Sequence, residues 1–251
     1  MKPTASEPYA FAIERFGCRF FTAALSFLLS ASVAFAETSV AERAPLNPKA
    51  SPSLRQIVDV PGLPRVLLIG DSISLGYTVR VREALKGKAN VHRAPTNCGP
   101  TKKGVAEIDT WLGTGRWDVV HFNFGLHDIR LIRTNVLQVP PKEYEMNLRK
   151  LVERLKRTEA ALIWATTTPA PVEPRAGQFR RIPSDVVAYN QIAAQVMKEH
   201  GIATVDLYSA VVERTAELQP VGDVHFNSKG YDVLAEKVAS AIAALLPASG
   251  K

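Results

Sequence analysis

Cysteine is scarce in this sequence, with Cys18 and Cys98 the only two among 251 residues. That count excludes a metal centre built from several thiolates. Long apolar runs are scarce too. The uncharged run from Phe20 to Phe35 has 16 residues and is broken by Ser26, Ser30 and Ser32, against about 20 for a comfortable membrane span. There is no internal repeat, and no basic stripe with interleaved aromatics. The net charge of +7 and a pI near 9.5 come from Lys and Arg scattered among Asp and Glu, which describes a solvated basic surface and no nucleic-acid partner. What is present is the balance of an ordinary globular protein. With 46% hydrophobic and 22% charged residues, and 15 Gly without period, a collagen, a coiled coil and a mostly disordered chain are excluded.

The amino terminus reads as a targeting segment. Lys2, Arg15 and Arg19 precede the apolar run, which ends in Ala34-Phe35-Ala36 before turning polar at Glu37. This is the pattern of a secretory signal over residues 1–36, with cleavage after Ala36. Cleavage removes Cys18 and leaves Cys98 unpaired, so no internal disulfide is expected in a protein exported to the bacterial periplasm or beyond. Residues 37–64, rich in Ala, Pro and Ser, read as a linker or surface strap. The folded domain is expected over residues 65–251.

Within that domain, short apolar runs alternate with amphipathic stretches, the pattern of a parallel sheet covered by helices. Strands are predicted at Val66–Ile69, Ala89–Ala94, Trp117–Asn123, Ala161–Ala165 and Ile202–Asp206. Helical stripes are predicted at Tyr144, Leu148, Leu151, Val152 and Leu155; at Val186, Tyr189, Ala193, Val196 and Met197, closed by Gly201; and at Tyr231, Leu234, Val238, Ile242 and Leu245, capped by Asn227 or Ser228. The implied α/β architecture is a doubly wound, three-layer αβα sandwich on a five-stranded parallel sheet. Ligands in such folds sit outside the carboxyl ends of the strands, so the loops there are the place to look for chemistry. The irregular stretch Thr166 to Pro183, with Arg175, Arg180 and Arg181, is long enough to edge a cleft.

The first strand runs into Gly70-Asp71-Ser72. A serine on the turn between a strand and a helix is exposed, and the helix start favours negative charge developing beside it, so Ser72 is a candidate nucleophile; the plainer alternative is a helix cap. Serine needs a base. Among the five histidines, His92 and His121 fall in predicted strands and His200 ends a helix. His225 lies in a loop before the last helix, with Asp223 two residues earlier to orient its ring. The loops Asn97-Cys98-Gly99 and Gly125-Leu126-His127-Asp128 offer oxyanion donors, since glycine lets a backbone amide approach closely and His127 has a ring N–H to give.

Taken in order, Gly70-Asp71-Ser72, Gly99, Gly125-Leu126-His127-Asp128 and Asp223-Val224-His225 resemble blocks I, II, III and V of the SGNH, or GDSL-type, hydrolases, from about Arg65 to Tyr231. The resemblance implies a serine esterase on a flavodoxin-like sandwich. In it Ser72 is the nucleophile, the Ser72 and Gly99 amides are oxyanion donors, and His225 is general base and then acid. Two positions depart from the family pattern. Block III usually carries asparagine as a side-chain oxyanion donor where this chain has His127, with Asn97 and Asn123 as nearby substitutes. The acid usually stands three residues before the histidine, where this chain has Gly222; Asp223 or a backbone carbonyl then holds the ring.

The leading expectation is therefore hydrolysis of a short acyl ester, an O-acetyl group on a carbohydrate, with no cofactor. The acceptor, water or a second sugar, and the oligomeric state stay open. Two alternatives have different chemistry. A metallophosphoesterase-like site would draw on Asp71, His127, Asp128 and His225, but its motifs come in the wrong order. A glycan-binding protein without turnover is motivated by the departures at His127 and Gly222.

Overall fold

Val66, Leu67, Leu68 and Ile69 are all buried, as a strand covered on both faces requires, and they form β1 (Arg65–Ile69), an interior strand of the sheet. The structure is a computed structural model, described over residues 51–133 and 135–247. After β1 come α1 (Ser72–Ala84), β2 (Asn90–Arg93), α2 (Thr101–Leu112), β3 (Val119–Phe122) and a small hairpin of β4 (Leu131–Ile132) and β5 (Val136–Leu137). The chain continues through α3 (Pro141–Lys156), β6 (Ala161–Ala165), α4 (Pro183–His200) and β7 (Ala203–Val205). It closes with two short helices, α5 (Leu207–Val211) and α6 (Thr215–Leu218), and α7 (Ser228–Ala243).

The five long strands form one parallel sheet in the order β2-β1-β3-β6-β7. The chain leaves β1 toward one edge to make β2, then returns past β1 to make β3. Right-handed crossovers therefore place α1 on one face and α2, α3 and α4 on the other. The packing agrees: α1 lies against α7, while α2 packs on α3 and α3 on α4. The reversal between β1 and β3 opens a crevice at their carboxyl ends. The chain is thus an α/β sandwich with a five-stranded parallel sheet between helical layers.

The stripes predicted for α3 and α4 are buried residue for residue. The α7 stripe holds at Leu234, Val238 and Ile242, but Leu245 falls beyond the helix and is exposed. Three strands are shorter than predicted: β2 loses one residue at each end, and β3 and β7 are cut short for local reasons. The indole of Trp117 donates to the Leu112 carbonyl and so belongs to the turn after α2. Asn123 turns its side chain to the Ala165 carbonyl, and Asp206 leaves the edge strand β7 to cap α5 through the Ser209 amide. The hairpin β4–β5 was not anticipated; Arg133 and Asn135 take left-handed φ of 49° and 64° in its turn.

Residues 51–64 carry no helix or strand. The buried Asn90 side chain takes the Val60 amide and donates to the Val60 and Leu63 carbonyls, and Arg82 holds the carbonyls of Pro52 and Arg55. The predicted signal and the first part of the strap, residues 37–50, lie outside the described residues, as do residues 248–251. Among the described residues no helix is long and apolar enough to cross a membrane.

Candidate active site

The turn after β1 is shaped by its own side chains. Asp71 accepts the Ile73 amide at 2.9 Å and caps α1, a contact worth about 1 kcal/mol to the helix. Ser72 is then the first residue of α1, where the helix leaves the amide without a partner of its own. The loop before α7 brings His225 across from the far end of the chain, with its Nε2 2.8 Å from Ser72 Oγ. Its Nδ1 stands 2.7 Å from Asp223 Oδ1. An ionised carboxylate only accepts, so the ring carries its proton on Nδ1 and presents the Nε2 lone pair to the serine hydroxyl.

Asp223 is buried. Burial alone would raise its pKa, but hydrogen bonds from the His225 amide and ring, and the charges of His225 and Arg175, outweigh it and hold the carboxyl below its usual value. Arg175 pairs with the second oxygen at 2.6 Å. Gly222, at the position where the family pattern places the acid, has φ +70°, and a Cβ there would meet the Arg175 nitrogen at 2.6 Å. Its carbonyl accepts that same Arg175 amide. A side chain does not fit there, and the carboxylate comes instead from the next residue.

Gly99 lies opposite, buried and with φ +62°, in a loop tied to the nucleophile turn by the Cys98 amide on the Gly70 carbonyl. The Gly99 amide is not empty-handed: it donates to Asn97 Oδ1 at 3.0 Å, a partner that an arriving oxyanion shares or displaces. His127 borders the same space, its Nδ1 3.8 Å from where a Gly99 Cβ would stand. Burial, with the charges of Arg130, Arg181 and Lys103 against that of Asp71, pushes His127 down to about 4. Burial and the neighbouring cations thus favour the uncharged imidazole at neutral pH, which has one ring N–H to give. Of the two substitutes considered, Asn123 gives its amide to the Ala165 carbonyl and Thr167 Oγ1, while Asn97 aims an oxygen at Gly99.

The residues a metal site would use are otherwise engaged. Asp71 caps α1, and Asp128 Oδ1 takes the amide and hydroxyl of Thr101 at the start of α2, with burial raising its pKa to about 7. His225 faces Ser72. Among the described residues no group of three or more His, Cys, Asp or Glu is placed to hold a metal ion.

Sequence reasoning missed the arginines that organise this site. Arg93, at the end of β2 and buried, sends Nη2 to the Gly70 carbonyl at 2.8 Å and to the Asp71 and Thr96 carbonyls at 3.3 Å, with Nη1 on Ser74 Oγ. A peptide's N–H points opposite its C=O. Fixing the Asp71 carbonyl behind the turn therefore aims the Ser72 amide forward, and the Thr96 contact ties in the Gly99 loop. Of the three arginines in the long loop, Arg175 is exposed and pairs with Asp223, Arg180 is exposed without an ion pair, and Arg181 is buried on the Leu126 and Phe179 carbonyls.

Solved structures with this fold include a lipase/acylhydrolase from Enterococcus faecalis, with TM-score 0.65 and 20% identity, covering 75% of this chain and 100% of that one. An acetylxylan esterase from Geobacillus stearothermophilus has TM-score 0.59 and 22% identity, covering 71% and 94%. The acetyl xylan esterase AlAXEase has TM-score 0.61 and 17% identity, covering 71% and 99%. At such identities the likeness concerns the fold. No curated protein matches the sequence significantly. The model of the GDSL-like Lipase/Acylhydrolase family matches residues 68–233, which include Ser72, Gly99, His127 and His225, and the chain belongs to that family of ester-hydrolysing enzymes.

Proposed function

We propose that this acylhydrolase removes short acyl groups, O-acetyl above all, from a carbohydrate through an acyl-enzyme on Ser72. The observation that carries the reading is the unbroken hydrogen-bonded series from Ser72 through His225 to Asp223. His225 Nε2 takes the hydroxyl proton as Ser72 Oγ bonds to the acyl carbon, and the Asp223 carboxylate stabilises the imidazolium that results. The tetrahedral oxyanion is received by the Ser72 and Gly99 amides and by His127. His225 then protonates the leaving alcohol as the ester bond breaks. Water, deprotonated by the same nitrogen, releases the acid and restores the serine. A sugar hydroxyl in place of water gives acyl transfer by the same steps.

The carbohydrate ester is supported by likeness of fold to two acetylxylan esterases, and the signal-like pattern of residues 1–36 supports export and with it a cell-envelope or extracellular polymer as substrate. The complete series of hydrogen bonds favours turnover over a binding-only protein. Incubating the purified protein with acetylated xylan should release acetate, while long-chain nitrophenyl esters should be poor substrates. Turnover of long-chain esters with no acetate from any acetylated glycan would overturn the substrate assignment.

A further inference from the structure

We infer that Arg130 is a positioning residue that locks the tautomer of His127, so that Nδ1–H faces the oxyanion hole. The inference rests on the hydrolase reading above and adds a residue to it. Arg130 Nη2 lies 3.0 Å from His127 Nε2. A guanidinium has five N–H donors and no acceptor, so Nε2 must supply the lone pair. An uncharged imidazole has a single N–H, which is then on Nδ1. That is the nitrogen bordering Gly99.

The pair is built to persist. Arg130 and His127 sit three residues apart on the turn after β3, and the Arg130 amide bonds back to the His127 carbonyl. The guanidinium carbon lies 4.4 Å from the centre of the Phe179 ring, a cation–π contact that fixes it from the long loop. Arg181 anchors that loop by bonding the carbonyls of Leu126 and Phe179, and the Leu131 amide meets the Arg180 carbonyl. Around His127 stand the cations Arg130, Arg181 and Lys103 and the carboxylate Asp71. The cations oppose protonation of the ring, which would cost the Arg130 bond. An asparagine always has N–H groups to give, whereas histidine at this position donates inward only if something outside holds its other nitrogen. Arg130 makes the substitution workable.

Histidine-selective ¹⁵N labelling of the purified protein reads the tautomer directly, with the His127 signal assigned by its loss in His127→Asn. The wild type should show a protonated Nδ1 and a bare Nε2. In Arg130→Met the proton should move wholly or partly to Nε2, and kcat for a nitrophenyl acetate should fall about tenfold at nearly constant KM, less than the about 10²–10³-fold cost of deleting an oxyanion donor. Arg130→Lys, which can still donate, should restore both the tautomer and most of kcat; a structural defect would not be repaired in this paired way. An Nε2–H tautomer in the wild type, or an Nδ1–H tautomer that Arg130→Met leaves in place, would overturn the inference whatever the activity. A wild type inert toward every ester and toward fluorophosphonates would instead count against the hydrolase reading, which the labelling experiment judges separately from the tautomer.

Discussion

Replacing Asp223 by asparagine keeps the shape of the triad and removes its charge. The carboxylate bonds the His225 ring at 2.7 Å and the His225 amide at 3.1 Å, with Arg175 on its other oxygen at 2.6 Å. At an effective dielectric of about 20, a carboxylate and an imidazolium about 4 Å apart attract by about 4 kcal/mol. That attraction exists only once His225 has taken the serine proton, so its loss slows acylation by about 10³-fold. Arg175 adds to the damage. Its guanidinium carries only donors and draws the amide oxygen to itself, turning the NH₂ toward His225 Nδ1 and moving the ring proton to Nε2, where it cannot accept from Ser72. The combined expectation for Asp223→Asn is a loss of about 10⁴-fold in kcat for a nitrophenyl acetate, in line with the loss when a triad ring is left in the wrong tautomer. In the double variant Asp223→Asn/Arg175→Ala the amide oxygen is free to face the His225 amide and ring, recovering about tenfold of that loss by restoring the tautomer. Rates for Asp223→Asn within tenfold of wild type, in protein melting at an unchanged temperature, would refute the assignment of Asp223 as the acid.

His127→Ala should cost about 10²–10³-fold in kcat, while His127→Asn, which still offers an N–H, should be much milder; equal rates would remove His127 from the oxyanion hole. Gly222→Asp, which puts a carboxyl at the family's usual position, should lower the melting temperature and give no gain in rate, because the backbone has φ +70° and a Cβ would collide with the Arg175 nitrogen. A variant as stable as wild type would show that the loop adapts. His121 in β3 is fully buried with both ring nitrogens unpartnered, and burial lowers its pKa from 6.5 to about 4. Between those values the unfolded chain binds the proton and the folded one does not, so its contribution destabilises the protein as pH falls from about 6.5 toward 4. His121→Phe should raise the melting temperature and flatten that acid-side decline; an unchanged pH profile would assign the decline to other groups.

What could be read from the sequence depended on how many neighbours a residue needs to declare its role. The stripes of α3 and α4 were legible because the burying face is apolar but for Asn147 in α3, whereas the shorter buried face of α1 includes both Ser74 and Thr78 and gave no such stripe. The two-residue strands of the β4–β5 hairpin are too short and too exposed for any periodicity. Ser72, His225 and Asp223 could be singled out as candidates because Ser72 opens the helix that follows the first strand and the other two share the short loop before the last helix. Arg93 and Arg130 could not. An arginine that orients carbonyls or a ring, buried like Arg93 or half-buried like Arg130, reads along the chain like any solvated one, and only the spatial partners distinguish them. The same holds for Gly222, whose backbone angle and contact with Arg175 explain why the acid moved by one residue.

Every step proposed for this site depends on Ser72 being a nucleophile activated by His225. Treating the purified protein with a fluorophosphonate, which traps activated serines, and mapping the adduct by peptide mass spectrometry tests it most directly. A single adduct is expected on Ser72, and it should be lost in His225→Ala protein of unchanged melting temperature. An adduct on another residue, no adduct in folded wild type, or labelling of Ser72 that is indifferent to His225 would contradict it.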